Sequence, residues 1–228
     1  MIMDGIIQEP KCVIISAGDF PGVNIEINEE DMCIACDAGF VYAQQMGILP
    51  DLIVGDFDSV SEQGPEVLRA LQEIEVNDPD RIMRLNVKKD DTDTLRAVRV
   101  GFERGYRKFY IYGGLGGRRA DHSLANIQTL LFIKHHGGKG YIMGREQMLL
   151  IAENETIKFH RGNTGMLSVF SLTPISKGVT LKGLMYNMEK GVITSDFPIG
   201  VSNEFIIDEE AEITVEDGTL LVTVFWGQ

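Results

Sequence analysis

The chain has 228 residues, of which 44% are hydrophobic and 24% are charged. These values are near the average of globular proteins, so they exclude a disordered or fibrous chain, and the length allows one large domain or two small ones. The formal net charge is −13 at pH 7 and both halves of the chain are acidic. Duplex nucleic acid and anionic membranes are therefore not expected as partners, because each requires a basic surface.

The cellular compartment is indicated by the cysteines and the apolar segments. Three cysteines, Cys12, Cys33 and Cys36, are few and odd in number, which is typical of a reducing compartment. No apolar run approaches the roughly 18–20 residues of a membrane helix, and residues 1–10 lack the basic stretch of a signal peptide. We expect a soluble, cytoplasmic protein. Cys33 and Cys36 fall within a predicted strand, so we interpret them as core residues rather than a redox or zinc pair.

Short apolar runs alternate with helical patterns up to about residue 143. Each run is rich in β-branched or aromatic residues and ends at Gly or Asp, which is typical of a strand buried in a parallel sheet. Helices are predicted over residues 94–105 and from about Asp121 to Gly137, the second with Leu124, Ile127, Leu130 and Leu131 on one face. This alternation predicts a doubly wound, mostly parallel α/β domain. Its predicted strands cover residues 12–16, 33–36, 52–54 and 109–112.

After Gly144 helical periodicity disappears, and short strands separated by turn residues follow one another. Asp217-Gly218 between two of these strands predicts a hairpin turn. The pattern predicts a C-terminal antiparallel β-sandwich, with the α/β domain over residues 1–145 and the sandwich over residues 146–228. The predicted strands of the second domain cover residues 149–151, 156–160, 166–170, 179–181, 205–207, 211–215 and 220–225.

Carboxylates follow the predicted parallel strands, where the ligands of open α/β sheets bind. Packing carboxylates together is unfavourable unless cations neutralise them, and oxygen ligands without His or Cys suit Mg²⁺ bound to substrate phosphates. The alternative for each single residue is a helix cap or an Asx turn. The carboxylates at these positions are Asp37, Asp56, Asp58, Asp90, Asp91, Asp93 and Asp121.

A glycine-rich segment, residues 113–117, lies between a predicted strand and a helix and is followed by Arg118 and Arg119. Its backbone N–H groups and the two guanidinium groups could bind a polyphosphate. The segment matches neither the Walker loop nor the dinucleotide-binding pattern, and the alternative is a plain loop. His122, at the predicted helix start, could contact a nucleotide or cap the helix.

Four segments follow one another through the first domain: Ala35-Cys-Asp-Ala-Gly39, Leu49-Pro-Asp-Leu-Ile-Val-Gly-Asp-Phe-Asp-Ser59, Lys89-Asp-Asp-Thr-Asp93 and Arg119-Ala-Asp-His-Ser-Leu-Ala-Asn126. Together they strongly resemble the thiamine pyrophosphokinase (thiamine diphosphokinase) family, and residues 183–187 and 200–204 extend the likeness into the second domain. The resemblance implies an α/β domain followed by a β-sandwich that binds thiamine and dimerises, in a homodimer with active sites at its interface. It implies transfer of a diphosphate from ATP to the thiamine hydroxyl with release of AMP, using Mg²⁺.

The resemblance also implies roles for individual residues. Asp56, Asp58, Asp93 and Lys89 would be catalytic. Ser202 and Asn203 would bind thiamine. The metal ligands would be Asp37, Asp56, Asp58, Asp90 and Asp93. The residues that bind ATP would be Asp37, Asp90, Thr92, Arg119, Asp121, His122 and Asn126.

Two departures from the family pattern leave alternatives open. The segment before His122 is one residue longer than the pattern, so either Arg118 or Arg119 could be the family's arginine. A tryptophan that some members place against thiamine is replaced by residues 220–222, and the only Trp of the chain is Trp226. Three other functions compete: the same transfer to another hydroxymethyl heterocycle such as a pterin, a non-catalytic nucleotide-sensing module, and a metal-dependent glycosyltransferase suggested only by Asp56-Phe57-Asp58.

Overall fold

The structure is a computed structural model, and it describes the two parts of the chain as separate units. One unit lies within residues 9–145 and the other begins at residue 146. None of the helices in the described part of the chain has the length and hydropathy needed to cross a bilayer. The described residues are 9–20, 22–57, 64–86, 91–117 and 119–226.

The first unit alternates strands and helices. Within the described residues its helices are α1 (Gly39–Gln45), α2 (Pro65–Asn77), α3 (Asp93–Glu103) and α4 (Ala120–His135), and a 3-10 turn covers Pro79–Arg81. Its strands are β1 (Cys12–Ile15), β2 (Met32–Cys36), β3 (Leu52–Gly55), β4 (Ile82–Arg84), β5 (Lys108–Tyr112) and β6 (Lys139–Met143).

The strands of this unit form a parallel sheet in the order β6-β5-β1-β2-β3-β4. Every residue of β1, β2 and β3 is buried, as expected for strands covered on both faces. Cys33 and Cys36 lie within β2 at 1% and 2% exposure, which confirms their interpretation as core residues. The strand order changes direction at β1, because β2, β3 and β4 follow on one side of it and β5 and β6 on the other. β1 therefore pairs with both β2 and β5.

Helices α3 and α4 follow the predicted positions, but the buried face of α4 differs from the prediction. Leu124 was expected on the apolar stripe and is 64% exposed. Leu130 is buried as predicted, and the other buried residues are Asn126, Thr129 and Ile133, because the helix turns its mixed polar and apolar face toward the sheet. This orientation brings Asn126 close to the loop that follows β5.

The second unit consists of antiparallel strands. Within the described residues they form two sheets, ordered β12-β9-β14-β7 and β11-β10-β13-β8. Phe159 and Phe205 meet edge to face at 5.4 Å between ring centroids in its core. Together the two units confirm an α/β domain followed by an antiparallel β-sandwich. The strands are β7 (Gln147–Glu153), β8 (Thr156–Phe159), β9 (Met166–Ser171), β10 (Ile175–Lys182), β11 (Met188–Thr194), β12 (Asn203–Glu204), β13 (Ala211–Thr214) and β14 (Thr219–Phe225).

The predicted hairpin at Asp217-Gly218 is wrong. Strand β13 pairs with β8 and β10, whereas β14 pairs with β7 and β9, so the turn carries the chain from one sheet to the other. The predicted strand over residues 205–207 is also displaced: β12 is Asn203–Glu204, and Phe205 forms an isolated bridge with Leu184. Both differences arise from pairing between distant segments, which turn chemistry does not determine.

Candidate active site

Three aspartates of the first unit lie close together at the carboxyl end of the parallel sheet. Asp37 directly follows β2, Asp56 directly follows β3, and Asp93 begins α3. Because β2 and β3 are neighbours, the backbone N–H of Asp37 also donates to the carbonyl oxygen of Val54, at 3.0 Å. In the sequence, Asp56 and Asp93 follow Asp37 by about 20 and 56 positions. The fold brings all three to the same edge of the sheet.

The electrostatics of Asp37 show how close these groups are. Burial raises the pKa of Asp37 to about 8, assisted by a hydrogen bond with the side chain of Asp93 and by the negative charges of Asp93 and Asp56. The N–H of Phe57 donates to Oδ1 of Asp37 at 3.4 Å, and this hydrogen bond lowers the pKa of Asp37. A carboxyl whose charge is disfavoured by neighbouring carboxyls is a group that a bound cation would stabilise as the anion.

The oxygen donors fit Mg²⁺ in type, although the described residues supply only part of the predicted set. No three acidic, His or Cys side chains within the described residues converge closely enough to hold a metal ion by themselves. Asp58, Lys89 and Asp90 lie outside the described residues. Mg²⁺ needs only one or two protein carboxylates when substrate phosphates and water complete its shell, and the Asp37–Asp93 pair meets that requirement.

The backbone after β3 approaches the carboxyl group of Asp37 closely. Asp37 and Phe57 both adopt left-handed conformations, with φ of +46° and +62°. A side chain on Gly55 would collide with Oδ1 of Asp37, so glycine is required there by close approach. The position of the carboxyl is therefore determined by the two turns that follow β2 and β3.

The start of α3 contributes a second group of polar side chains. The hydroxyl of Thr92 caps the helix by accepting from the N–H of Leu95 at 3.2 Å. Thr94 is buried and shares a hydrogen bond of 2.9 Å with the hydroxyl of Ser16, at the end of β1. This pair fixes the helix N-terminus, which is a favourable place for anions, beside the sheet edge.

Asp91, also in this segment, is held by an arginine of α3. Nε of Arg99 lies 3.0 Å from Oδ2 of Asp91, and the guanidinium stacks 5.0 Å from the ring centroid of Phe132 on α4. The side chain of Asp91 is therefore engaged away from Asp37. It is not part of the group formed by Asp37, Asp56 and Asp93.

The glycine-rich segment after β5 lies against the loop after β1. The N–H of Gly18 donates to the carbonyl oxygen of Gly113 at 2.9 Å, and the N–H of Asp19 donates to that of Leu115 at 3.0 Å. Gly116 has φ of +74°, and a side chain there would collide with the carboxylate of Asp19. The two loops after β1 and β5 thus form one continuous surface at the sheet edge.

Asn126 supports this loop from beneath. Its side chain is buried in α4, and its Nδ2 donates to the carbonyl oxygen of Gly114 at 2.7 Å. The N–H of Gly116 donates to the hydroxyl of Ser123 at 3.1 Å. Asn126 was predicted to bind the nucleotide, and the structure places its amide on the loop backbone.

Arg119, Asp121 and His122 surround the exposed start of α4. Nε of Arg119 donates to Oδ1 of Asp121 at 3.2 Å, and a second contact joins Nη2 and Oδ2. This hydrogen-bonded pair lowers the pKa of Asp121 and raises that of Arg119. All three side chains are exposed beside the glycine-rich segment, so they are accessible to a ligand. Arg118 lies outside the described residues.

In the second unit, Ser202 and Asn203 differ sharply in their surroundings. Ser202 is exposed with φ of +58°, and its N–H donates to the hydroxyl of Ser168 at 3.0 Å. Asn203 is 4% exposed; its amide accepts from the N–H of Tyr186 at 2.9 Å and donates to the carbonyl oxygen of Tyr186 at 2.7 Å. Asn203 therefore holds the turn that presents the exposed ring of Tyr186.

Several residues that shape the site were not singled out from the sequence. Phe57 lies inside the Gly-Asp-Phe-Asp-Ser segment, and Ser16 ends a predicted strand, so both had a positional signal. Asp19 follows a glycine at a strand exit, which is also a detectable signal. No signal in the sequence indicates that Ser16 pairs with Thr94, which lies 78 residues away.

Comparisons with known proteins relate both parts of the chain to one family. Residues 23–142 match the family model described as "Thiamin pyrophosphokinase, catalytic domain", and residues 154–220 match "Thiamin pyrophosphokinase, vitamin B1 binding domain". The thiamine pyrophosphokinase of Bacillus subtilis (strain 168) is 30% identical over 209 residues, covering 86% of this chain and 90% of that protein.

Solved structures share the fold. The crystal structure of the Bacillus subtilis thiamine pyrophosphokinase has a TM-score of 0.80 at 24% identity, covering 96% of this chain and all of that one. The Candida albicans thiamin pyrophosphokinase has a TM-score of 0.72 at 15% identity, covering 95% of this chain and 90% of that one. These relatives give no support to a pterin-specific enzyme, a nucleotide sensor or a glycosyltransferase. With a catalytic-domain match over more than half of its length and a curated relative at 30% identity, the chain belongs to the thiamine pyrophosphokinase family of ATP-dependent diphosphotransferases.

Proposed function

We propose that this chain transfers the diphosphate of ATP to the hydroxyl of thiamine, giving thiamine diphosphate and AMP. The observation that carries the proposal is the proximity of Asp37, Asp56 and Asp93 at the sheet edge, in a chain that matches both domains of the family. Phosphoryl-group transfer depends mainly on positioning and on charge neutralisation, and a carboxyl cluster that recruits a divalent cation serves both.

The metal site of the proposal consists of Asp37, Asp56, Asp58, Asp90 and Asp93. When bound, Mg²⁺ would neutralise the phosphate oxygens and stabilise the charge that develops on AMP as it leaves. Its support is the all-oxygen donor set and the raised pKa of Asp37, which the charges and hydrogen bond of its neighbours explain.

The nucleotide side of the proposal lies along the glycine-rich segment. Arg119 would contact phosphate oxygens, and Asp121 and His122 would lie beside the nucleotide, since all three are exposed at the start of α4. Thr92 would contribute through the capped N-terminus of α3, and Asn126 through the loop that it holds. Lys89 would neutralise the remaining phosphate charge.

The reaction is an in-line displacement at the β-phosphorus of ATP. The thiamine hydroxyl oxygen forms a bond to that phosphorus, the bond from phosphorus to the oxygen bridging the α- and β-phosphates breaks, and AMP leaves with the electron pair. Asp56 or Asp58 would orient the hydroxyl and accept its proton. The remaining side chains hold the reacting atoms in line and exclude alternative geometries.

Thiamine recognition is assigned to the second unit. Ser202 offers an exposed hydroxyl, and Asn203 would act through the turn that carries Tyr186.

The second unit also exposes Phe197, Ile199 and Ile207, at 63%, 53% and 74%, which supports assembly with a second copy as a homodimer. Sedimentation of the purified chain tests the dimer independently of activity.

The deciding experiment measures AMP release from Mg-ATP with and without thiamine, together with the mass of the product. AMP in equal amount to a thiamine species heavier by one diphosphate supports the proposal. Asp93→Asn, which retains the size of the side chain, should abolish this release while the folded circular dichroism spectrum is retained. Release stimulated by a hydroxymethylpterin and not by thiamine would refute the assignment of the acceptor.

A further inference from the structure

Phe57, which stands between two aspartates in the sequence Asp56-Phe57-Asp58, has an unusual combination of properties. Phe57 has φ of +62°, a conformation that costs a bulky residue about 1–2 kcal/mol relative to the right-handed region. Yet its side chain is only 6% exposed. Such strain persists where the surroundings determine the conformation, and here the buried ring does so.

The ring is enclosed by the core on one side and by an ion pair on the other. Phe57 belongs to a cluster of buried side chains that includes Phe40, Ile53 and Leu71. The guanidinium of Arg84 lies 5.1 Å from the ring centroid and is itself held by Glu75 of α2 through two hydrogen bonds of 2.7 and 2.8 Å. The ring therefore connects the turn to both the sheet and α2.

The backbone of the same residue contacts the carboxyl cluster. The N–H of Phe57 donates to Oδ1 of Asp37 at 3.4 Å, and Asp56 immediately precedes it. Moving the ring out of its pocket would rotate the backbone that carries both this N–H and Asp56. The ring thus acts on two carboxyl groups through the backbone of its own residue.

We propose that Phe57 is a positioning residue: its buried ring holds the left-handed conformation after β3 that keeps Asp56 and Asp37 in place for the proposed metal site. The inference rests on the proposed function, since it concerns the same site. Residues that orient metal ligands change metal affinity by about 10–100-fold when they are lost. Phe57→Ala should therefore weaken the metal site as well as the fold.

Loss of core packing must be separated from loss of positioning. Leu71, on α2, is 3% exposed and belongs to the same cluster, but its apolar side chain can neither donate nor accept a hydrogen bond. Leu71→Ala is therefore the matched control, because it removes a similar apolar side chain from the same core. Phe57→Leu is the conservative variant, because it keeps most of the buried volume.

The test measures binding of Mn²⁺ to the full chain by electron paramagnetic resonance, in the presence of α,β-methylene-ATP, together with the melting temperature. Mn²⁺ favours the same octahedral oxygen ligands as Mg²⁺. We expect Phe57→Ala to raise the Mn²⁺ dissociation constant about tenfold, Phe57→Leu to stay within about threefold, and Leu71→Ala to leave it unchanged although its melting temperature falls. If Phe57→Ala does not fold, Phe57→Val takes its place. Its Mn²⁺ dissociation constant should then lie between the wild-type value and about ten times that value.

The outcomes distinguish this inference from the function on which it rests. Equal Mn²⁺ affinity in wild type and in Phe57→Ala or Phe57→Val overturns the positioning role and leaves the proposed function intact. Equal weakening in Leu71→Ala also overturns it, because a general loss of packing then explains the effect. Wild-type protein that binds no Mn²⁺ with the nucleotide refutes the metal site of the proposed function, and this inference with it.

Discussion

Replacing Asp37 by asparagine should stabilise the metal-free protein and inactivate it at the same time. The amide has the size of the carboxyl, tolerates a φ of +46°, and can still accept from the N–H of Phe57. It carries no charge to repel Asp56 and Asp93. Asp37→Asn therefore removes the unfavourable charge without creating a cavity.

The sign and size of the effect follow from the pKa of Asp37, which rises from its ordinary value of 3.8 to about 8. A group with a raised pKa stabilises the folded state fully below its ordinary pKa and loses that contribution as the pH rises through the folded value. One pKa unit corresponds to about 1.4 kcal/mol, so the rise sets an upper limit of about 6 kcal/mol. Because Asp37 is half-buried, solvent screening reduces the gain to about 1–2 kcal/mol above pH 8.

The assay is thermal unfolding in EDTA from pH 5 to pH 9. The wild type should lose stability toward pH 9, and Asp37→Asn should melt about 3–6 °C higher there, with the difference narrowing steadily toward pH 5. Adding MgCl₂ should raise the melting temperature of the wild type alone. Turnover of the variant should fall about 10²–10³-fold.

Asp80→Asn is the matched control, because it removes the same charge from an exposed carboxylate in the 3-10 turn. It should leave the pH dependence of unfolding unchanged. Equal melting temperatures of wild type and Asp37→Asn at pH 9, or a less stable variant, would show that the cluster does not repel as described. A stabilisation matched by Asp80→Asn would assign the effect to net charge.

Three further substitutions test separate parts of the site by steady-state kinetics. Gly55→Ala should force the carboxyl of Asp37 to move and lower kcat by up to about a hundredfold, and an unchanged kcat would contradict the close approach. Arg119→Ala should raise KM for ATP about tenfold with an unchanged melting temperature, because the side chain is exposed; an unchanged KM would exclude phosphate contact. Asn203→Ala removes the two hydrogen bonds that the amide makes with the N–H and C=O of Tyr186. It should therefore destabilise the folded protein by about 1–3 kcal/mol and raise KM for thiamine more than for ATP. Equal changes in both KM values would refute a specific link to thiamine.

The parallel half of the fold was largely predictable because its strands are continuous apolar runs. β1, β2, β3 and β5 lie within a residue or two of their predicted limits. β4 has three residues at the sheet edge and is only partly buried, so it gives no such signal. Burial on both faces makes a strand recognisable, and an edge strand lacks it.

The second unit was harder to predict in its connections than in its strands. β11, with Glu189, Lys190 and Gly191 in its sequence, lies at a sheet edge and was missed. The hairpin expected at Asp217-Gly218 was wrong because local turn residues do not specify which sheet the next strand joins. That choice is made by pairing with β7 and β9, far away in the sequence.

In the candidate site, the sequence predicted which carboxylates follow strands, but not how they are held. The proximity of Asp37 and Asp93 depends on the sheet order and on the position of α3. The left-handed conformations of Asp37 and Phe57 depend on tertiary packing, since neither residue type favours them strongly enough to be predicted. The roles of Asp58, Lys89 and Asp90 stay predictions.

The position of β1 in the middle of the parallel sheet has a consequence for the order of folding. Its pairing with β5 joins Cys12 to Phe109, and the hydrogen bonds between the loops that follow extend the same long-range contact. During synthesis about 100 residues must emerge after β1 before β5, its second neighbour in the sheet, is available for pairing. Closing so long a segment slows the search for the native topology. The glycine-rich loop therefore cannot reach its place before β5 has emerged, and until then a nascent chain retains an open, apolar strand edge at β1.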